Sequence, residues 1–338
     1  MKRLVIGCTA AVLALVVAGC GTTHAAKDAK DSKDSREEVA GKPSTKAAPI
    51  TLTDATGTRI RLDAPATRVV GTEWNVVEDL VTLGVDPVGV ADVKGYTAWD
   101  TAAPLKNSPK DIGTRGEPSM DTIAALDPDL IVATTDLPAA AVTQLRKIAP
   151  VLEVRSADAT GQIGLMTKTL DLIAQATGTT RQADAAEKAF GTKLTAGRKA
   201  LADAGLAGTP YAFGDGYEQA NQVSVRPYTS GSLIGEVNDR IGLVNAWKVK
   251  GDKDYGLATT DVEGLTGLPD AVRFCYIANA VDGDPFVDGL AKNAVWKGLP
   301  FVKAGHVERL PDGIWMFGGP RSMAAYVDAV VAALTKTK

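Results

Sequence analysis

The chain has 338 residues, of which 45% are hydrophobic and 23% charged, and its formal net charge is −3. This balance is ordinary for a soluble protein and implies neither a nucleic-acid partner nor attraction to an anionic membrane surface. The length is large for one compact core, so we expect a folded body of two lobes.

The chain opens with the features of an export signal. Two basic residues precede an apolar run from Leu4 to Val17, which has the length of a signal-peptide core and is too short for a permanent bilayer span. The run ends in Val17-Ala18-Gly19-Cys20, which resembles a bacterial lipobox. Residues 1–19 are therefore predicted to be a lipoprotein signal peptide, and Cys20 to carry a lipid that anchors the protein on the extracytoplasmic side of the cell membrane. An ordinary secretory signal with an incidental cysteine is the alternative.

Residues 20–49 are predicted to be a disordered tether. Charges alternate along this stretch and no aromatic residue precedes Trp74, so the segment cannot bury enough apolar surface to offset its ordering entropy. Of the three cysteines, only Cys275 remains in the predicted folded body. It lies in an apolar, strand-like run, which favours a core residue over a nucleophile.

The folded body begins with a predicted β-hairpin around a turn at residues 54–57. Short apolar runs then alternate with amphipathic segments up to Val154, among them expected strands at 68–71 and 87–91 and an expected helix at 139–149. This rhythm predicts a mainly parallel sheet flanked by helices.

The middle of the chain breaks that rhythm with helical periodicity alone, from about Gln162 to Ala204. Gly178 is expected to end a first helix, and Thr180 to cap a second one of roughly 25 residues, or about 37 Å. We therefore predict an α/β protein of two Rossmann-like lobes, residues 50–178 and 207–338. One long backbone helix, within residues 179–206, joins them, and a ligand cleft lies between them.

A weak internal repeat supports two similar lobes. The segment from Asp121 to Ile131 resembles the segment from Glu263 to Val272, and in each an acidic residue on a short helix leads through Pro-Asp into a strand. Chance similarity of a common turn is the alternative explanation.

Signatures of catalysis and of metal binding are scarce. Outside the predicted signal peptide the sequence holds two histidines, His24 in the tether and His306. Nucleophile-elbow and dinucleotide-binding motifs are missing, and a bare metal site would need several histidines, cysteines or clustered carboxylates. The sequence predicts a protein that is not an enzyme and has neither a cofactor nor a metal site of its own.

Aromatic residues and arginines instead follow the predicted strands, at the sheet edge where open α/β sheets bind ligands. The candidate ligand-binding residues are Trp74, Trp99, Arg115, Arg226, Tyr228, Tyr255, Trp315 and Phe317. Trp296 is expected to be a core residue. A ferric hydroxamate suits a cleft of this kind, because its iron is already fully ligated. Arginine can donate hydrogen bonds to its oxygens, and aromatic rings can cover its organic shell.

Several segments strongly resemble the ferric-siderophore-binding proteins of ABC importers, closest to the ferric-hydroxamate receptors. The resemblance covers residues 51–336. It is carried by the segments at 73–75, 83–92, 111–118, 242–247, 299–305 and 314–319. It implies two α/β lobes on a backbone helix, small hinge motion, and a monomer that captures a ferric siderophore. The siderophore would pass to a membrane permease that works with a cytosolic ATPase.

The resemblance also implies residue roles. The family's siderophore-coordinating arginine matches Arg115, and its pocket aromatics match Trp74, Trp99, Tyr255, Trp315 and Phe317. Asp121 and Glu263 match the acidic residues that dock each lobe onto the permease. The sequence departs from the family where a tyrosine near the iron centre is expected, because Asp136 and Leu137 occupy that region.

Other functions remain open at this point. The same fold binds haem, cobalamin or a ferric catecholate, although a triply anionic catecholate would want more cations than Arg115 and Arg226. An extracytoplasmic siderophore-processing enzyme would need a nucleophile with a base, and His306 is the only candidate base. Arg115 itself could instead cap a helix or pair with Glu117.

Overall fold

The computed structural model describes residues 48–219 and 222–336. The first element is the predicted hairpin, in which β1 (Ile50–Thr53) pairs antiparallel with β2 (Arg59–Leu62). An Asp54 carboxylate oxygen accepts from the backbone N–H groups of Thr56 and Thr58 at 2.9 and 2.8 Å, and this holds the turn. The predicted signal peptide, Cys20 and almost all of the predicted tether lie outside the described residues.

The first lobe is a parallel sheet with strand order β5-β4-β3-β6-β7. Its elements are β3 (Val69–Gly71), α1 (Trp74–Thr82), β4 (Gly89–Val90), α2 (Val93–Trp99), β5 (Lys110–Asp111), α3 (Met120–Ala125), β6 (Leu130–Thr134), α4 (Ala139–Leu145) and β7 (Val151–Val154). Strands β6 and β7 are buried throughout, as parallel strands covered on both faces must be. The expected strand at 87–91 is shorter than predicted. Helix α4 ends at Leu145 rather than at residue 149, because the following residues form tighter turns, in which the Lys147 N–H donates to the Gln144 carbonyl at 3.0 Å and the Ile148 N–H to the Leu145 carbonyl at 2.9 Å.

Two helices follow, α5 (Gln162–Thr177) and α6 (Thr180–Asp203). Helix α5 ends at Gly178, whose left-handed φ of 71° lets the chain leave the helix. Thr179 rather than Thr180 precedes α6, and its side chain caps no helical N–H. The 24 residues of α6 span about 36 Å. Ala183 near its start packs in the first lobe, whereas Leu201 near its end packs with the second.

The second lobe has a parallel sheet of strand order β10-β8-β11-β12, with β9 antiparallel to β8. Its elements are β8 (Pro210–Gln219), β9 (Gln222–Pro227), α7 (Leu233–Arg240), β10 (Val244–Asn245), a 3-10 turn (Glu263–Gly267), β11 (Arg273–Tyr276), a π turn (Pro285–Gly289), α8 (Ala294–Gly298), α9 (Pro300–Lys303), β12 (Val307–Arg309) and α10 (Pro320–Thr335). The β8–β9 hairpin departs from the expected βα rhythm.

The two repeated segments occupy equivalent places in the lobes. Helix α3 leads into β6, which lies beside β3, and the 3-10 turn leads into β11, which lies beside β8. Cys275 on β11 and Trp296 on α8 are buried in the core, as predicted. Burial raises the pKa of the Cys275 thiol to about 12.

The lobes share a continuous apolar core. Trp74, Val77 and Tyr96 of the first lobe pack in one cluster with Trp315 and Tyr326 of the C-terminal segment. Backbone and side-chain hydrogen bonds also cross between the lobes, from the Thr101 N–H to the Gly313 carbonyl at 2.9 Å and from Asn279 to the Ala98 carbonyl at 2.8 Å. The two-lobed α/β prediction is confirmed. Within the described residues, no helix has the length and apolar character needed to cross a bilayer.

Candidate functional site

A cleft of about 340 Å³ opens between the lobes. Both lobes line it, with Glu73, Asn75, Arg115, Thr134 and Ser156 from the first and Arg226, Tyr255, Leu257, Trp315 and Phe317 from the second. Glu73 comes shortly after β3, Thr134 is the last residue of β6, and Ser156 comes shortly after β7. The cleft therefore lies at the carboxyl edge of the first sheet, as the sequence predicts.

Arg115 lies in the loop between β5 and α3. Gly113, at φ 97°, opens this loop, in a conformation that favours glycine. The Arg115 Nη1 atom donates to Glu73 Oε1 at 2.8 Å, and the guanidinium lies 4.1 Å from the Trp74 ring centroid and 5.3 Å from that of Trp315. Arg115 therefore neither pairs with Glu117 nor caps a helix, because its partner is Glu73.

Trp74 forms the floor beneath Arg115. It is 5% exposed, and its indole N–H donates to the Ala91 carbonyl at 3.1 Å. Its ring meets that of Trp315 edge-on, with centroids 4.7 Å apart. Trp74 thus supports Arg115 from below, whereas Trp315 lines the cleft itself.

Arg226 lies on β9 and is held by Asp215 on β8. Its Nε atom donates to Asp215 Oδ1 at 2.9 Å, and its Nη2 atom donates to the other carboxylate oxygen. The guanidinium also lies 5.4 Å from the Phe317 ring centroid. The β8–β9 hairpin, which the sequence analysis did not foresee, brings both charges to the cleft edge.

Tyr228 does not reach the cleft. It is 1% exposed, and its hydroxyl donates to Asp215 Oδ2 at 3.1 Å. Burial, and then the neighbouring Asp215 charge, raise its pKa well above the usual range. Its prediction as a pocket residue therefore needs correction, because its contacts place it behind Arg226 as a support.

Tyr255 reaches across the cleft. Its hydroxyl donates to Asp136 Oδ2 at 2.5 Å, and its ring meets that of Phe317 edge-on at 5.6 Å. Asp136 follows β6, in the region where the family resemblance leads one to expect a tyrosine. In this chain the Tyr255 phenol reaches that aspartate from the opposite lobe.

Trp99 lies beside the cleft rather than in its lining. It lines a neighbouring cavity of about 570 Å³, and its indole N–H donates to Asp282 Oδ2 in the second lobe at 3.0 Å. Its ring centroid is 6.2 Å from that of Trp315. Trp99 thus packs near Trp315 and links the two lobes beside the cleft.

The charges at and beside the cleft are two arginines and three carboxylates. Each of its arginines has a carboxylate partner, Glu73 or Asp215, and Asp136 adds a third carboxylate. Sequence reasoning missed Glu73 and Asp215 as site residues, although both follow a buried strand stretch in the way that pointed to Trp74. Over residues 48–219 and 222–336, no group of three or more His, Cys, Asp or Glu side chains could hold a metal ion.

Three further carboxylates are buried behind the cleft. Glu78, Asp79 and Asp100 are each at most 2% exposed. Glu78 accepts from the Ser322 N–H at the start of α10 at 2.8 Å, and the Ser322 hydroxyl donates to Asp100 at 3.3 Å. Burial and the nearby Glu78 charge raise the pKa of Asp79 well above its usual range and that of Asp100 to about 10.

The predicted docking residues lie at the surface. Asp121 is exposed in the first turn of α3, and Glu263 is exposed at the start of the 3-10 turn. Neither lines the 340 Å³ cleft.

Comparison with known proteins identifies the family. The family model described as periplasmic binding protein matches residues 69–313, well over half of the chain. This chain belongs to that family. The family predicted from the sequence motifs is thereby confirmed, and it is a class of solute-binding proteins.

Relatives of known function share most of the chain. The iron(3+)-hydroxamate-binding protein FhuD of Escherichia coli is 25% identical over 77% of this chain and 84% of its own length. The Fe(3+)-citrate-binding protein YfmC of Bacillus subtilis is 30% identical over 73% of this chain and 74% of its own length. Among solved structures, the Fe3+-Desferal-bound siderophore-binding protein FhuD from Vibrio cholerae aligns with a TM-score of 0.72. That match has 25% identity and covers 80% of this chain and 98% of the other.

Proposed function

We propose that this chain captures a ferric siderophore outside the cytoplasm and delivers it to an ABC permease. The observation that carries the proposal is the inter-lobe cleft, where two oriented arginines lie among Trp315, Phe317 and Tyr255. Guanidinium groups donate to ligand oxygens in a fixed fork, and aromatic rings cover an organic shell at low entropic cost. Relatives named for iron(3+)-hydroxamate and siderophore binding support the same assignment.

A hydroxamate is the siderophore class that the cleft favours. A ferric trihydroxamate is electrically neutral, whereas a ferric tris-catecholate carries three negative charges. Both cleft arginines already have carboxylate partners, so little positive charge remains to offset an anionic ligand. This argument disfavours catecholate and citrate chelates, although a citrate-binding protein is among the relatives. No specific contact favours haem or cobalamin.

We propose a binding protein rather than a siderophore-processing enzyme. Among the described residues that line the cleft there is no histidine or cysteine, the side chains that would most readily pair as nucleophile and base. Incubating a ferric hydroxamate with the protein and recovering it chemically unchanged would support this statement, and any hydrolysed product would contradict it.

The decisive experiment is a titration of the folded body, from Ala47 onward, with ferric and iron-free siderophores while tryptophan emission is followed. Ferric trihydroxamates should quench emission, because Trp74 and Trp315 lie at the cleft and Trp99 is next to it. Free ferric ion should not, because no ligand cluster is present in the described part of the chain. Tight binding of bare metal ions without a response to any chelate would overturn the proposal.

Delivery is proposed to depend on Asp121 and Glu263, which are exposed on opposite lobes and would dock by charge complementarity onto basic pockets of the permease. Changing both to Lys should abolish uptake while siderophore affinity stays nearly intact. A double variant that no longer binds the siderophore would place these residues in the pocket or the fold instead.

Anchoring is proposed to depend on a lipid at Cys20, since a binding protein outside the membrane would otherwise diffuse away. The Cys20→Ala variant should be released from the membrane and still bind ligand. A Cys20→Ala protein that stays membrane-bound after processing would contradict this part of the proposal.

A further inference from the structure

Glu73 is an acidic residue in the lining of the cleft. It precedes α1 and lines the cleft beside Arg115. Its Oε1 atom accepts two hydrogen bonds, from the Trp74 N–H at 2.9 Å and from Arg115 Nη1 at 2.8 Å. The same carboxylate therefore caps a helix and fixes the Arg115 guanidinium over the Trp74 ring.

The charges around the cleft show what this carboxylate changes. Arg115 pairs with Glu73 and Arg226 pairs with Asp215, and the nearby Asp136 carboxylate accepts from the Tyr255 hydroxyl. Asp215 is 10% exposed at its side chain, whereas that of Glu73 is 26% exposed. Of the two carboxylates that pair with arginines, Glu73 is thus the more open to a bound ligand.

We infer that Glu73 is a specificity-determining residue, which orients Arg115 and repels anionic ferric chelates. This inference rests on the proposed function, because it concerns which ferric chelate the same cleft accepts. A fixed negative charge within a few ångströms of the ligand disfavours each unit of negative ligand charge, and it favours a protonated amine on the ligand.

The effect of Glu73 on affinity should therefore depend on the net charge of the ligand. Ferrioxamine B, the ferric complex of Desferal, carries one positive charge on its amine tail, and ferrichrome is neutral. Ferric enterobactin is a triply anionic tris-catecholate. These three complexes differ in charge while all present an iron centre fully ligated by six oxygens, so they serve as probes.

The test compares the dissociation constants of these three complexes for the wild-type protein, Glu73→Gln and Glu117→Gln. Glu117 is the matched control, because it is exposed in the same loop as Arg115 and does not pair with it. In Glu73→Gln the ratio of ferric enterobactin affinity to ferrioxamine B affinity should rise about tenfold or more. That rise should shrink in high salt, because salt screens the partly exposed charge. Glu117→Gln should leave the ratio unchanged.

A second variant separates the charge of Glu73 from its role as a helix cap. Glu73→Asp keeps the charge but shortens the side chain, so it should keep the wild-type order of preference even if all three affinities fall. An equal loss for all three complexes in Glu73→Gln, or an unchanged ratio, would overturn the inference and leave the proposed function intact. A wild-type protein that binds none of the three would overturn the proposed function itself.

Discussion

Two groups of carboxylates lie between the lobes, and their surroundings differ. At the cleft, Glu73 and Asp215 each face an arginine. Behind it, Glu78, Asp79 and Asp100 face one another and the start of α10, and one oxygen of each lacks a hydrogen-bond partner among the described residues.

The difference lies in how each group avoids the cost of buried charge. Each of the two cleft carboxylates has an arginine beside it. Within residues 48–219 and 222–336 no salt bridge reaches the three buried carboxylates, and burial, followed by the nearby Glu78 charge, raises the pKa of Asp100 to about 10. A protonated Asp100 can donate to Glu78, a hydrogen bond that two ionised carboxylates could not form. The ligand site thus contains ion pairs, whereas the buried group behind it contains carboxyl groups whose pKa is raised.

Removal of a paired carboxylate should have the largest effect on stability. Asp215→Ala leaves the Arg226 guanidinium and the buried Tyr228 hydroxyl without their shared partner. We expect a loss of about 3 kcal/mol in the free energy of unfolding, measured by urea titration. The double variant Asp215→Ala/Arg226→Met removes the unpaired charge and should recover part of that loss. If the single and double variants are equally stable, an unpaired Arg226 charge carries no cost, and the ion pair between Asp215 and Arg226 is not significant for stability.

The second prediction concerns affinity at the same cleft. Arg115→Ala should weaken ferric-siderophore binding by about ten- to a hundredfold, because a charge-assisted hydrogen bond contributes roughly 1.5–3 kcal/mol. Lys should rescue only partly, since it offers a point charge rather than a planar fork. Calorimetric titration of each variant measures the effect. Unchanged affinity together with a lower melting temperature would show that Arg115 is structural.

Sequence patterns were sufficient for the architecture. Alternation of short apolar runs and helices, and the long strand-free stretch that became α5 and α6, reflect local hydrophobic periodicity. The weak repeat from Asp121 and Glu263 also corresponds to equivalent positions in the two lobes. Strand and helix limits such as those of β4 and α4 were less accurate, because tertiary contacts decide where an element ends.

The site was predicted only in part, for a physical reason. Arg115, Trp315 and Phe317 follow from the rule that ligands bind at strand ends. Their partners do not, because Glu73 and Arg115 are 42 positions apart and meet only when β3 and β5 lie in one sheet. Tyr228 was misplaced because it follows β9 and its hydroxyl donates to Asp215 on β8, a partner that the sequence does not reveal.

The buried carboxylates should make stability depend on pH. The pKa of Asp100 is raised, so between its usual value near 4 and about 10 the folded state binds more protons than the unfolded state. Stability should therefore fall as pH rises through this window.

Asp100→Asn removes that ionisation and retains an oxygen that can accept from Ser322 and Ala103. At pH 8 it should raise the free energy of unfolding by about 1–2 kcal/mol and flatten the dependence on pH. Thermal melts from pH 5 to 9 measure both effects. Asp86→Asn, at an exposed aspartate, is the control and should change neither. A wild-type protein whose stability does not fall with rising pH would show that the cluster holds no extra protons.

The smallest effect is expected at the hydrogen bond that crosses the cleft. Tyr255→Phe removes the hydroxyl that donates to Asp136, and because this hydrogen bond is exposed the free energy of unfolding should fall by only about 0.5–1 kcal/mol. A double-mutant cycle with Asp136→Asn isolates the contact, since two residues that interact directly give a non-additive free energy of unfolding.

Tyr255→Phe differs from the other cleft variants because it changes no formal charge. If Tyr255→Phe shifts the preference between ferrioxamine B and ferric enterobactin as strongly as Glu73→Gln, selection depends on the position of the Tyr255 ring rather than on fixed charge. If the preference stays constant while the cycle gives a coupling energy, the contact holds the lobes together and the carboxylates alone select by charge.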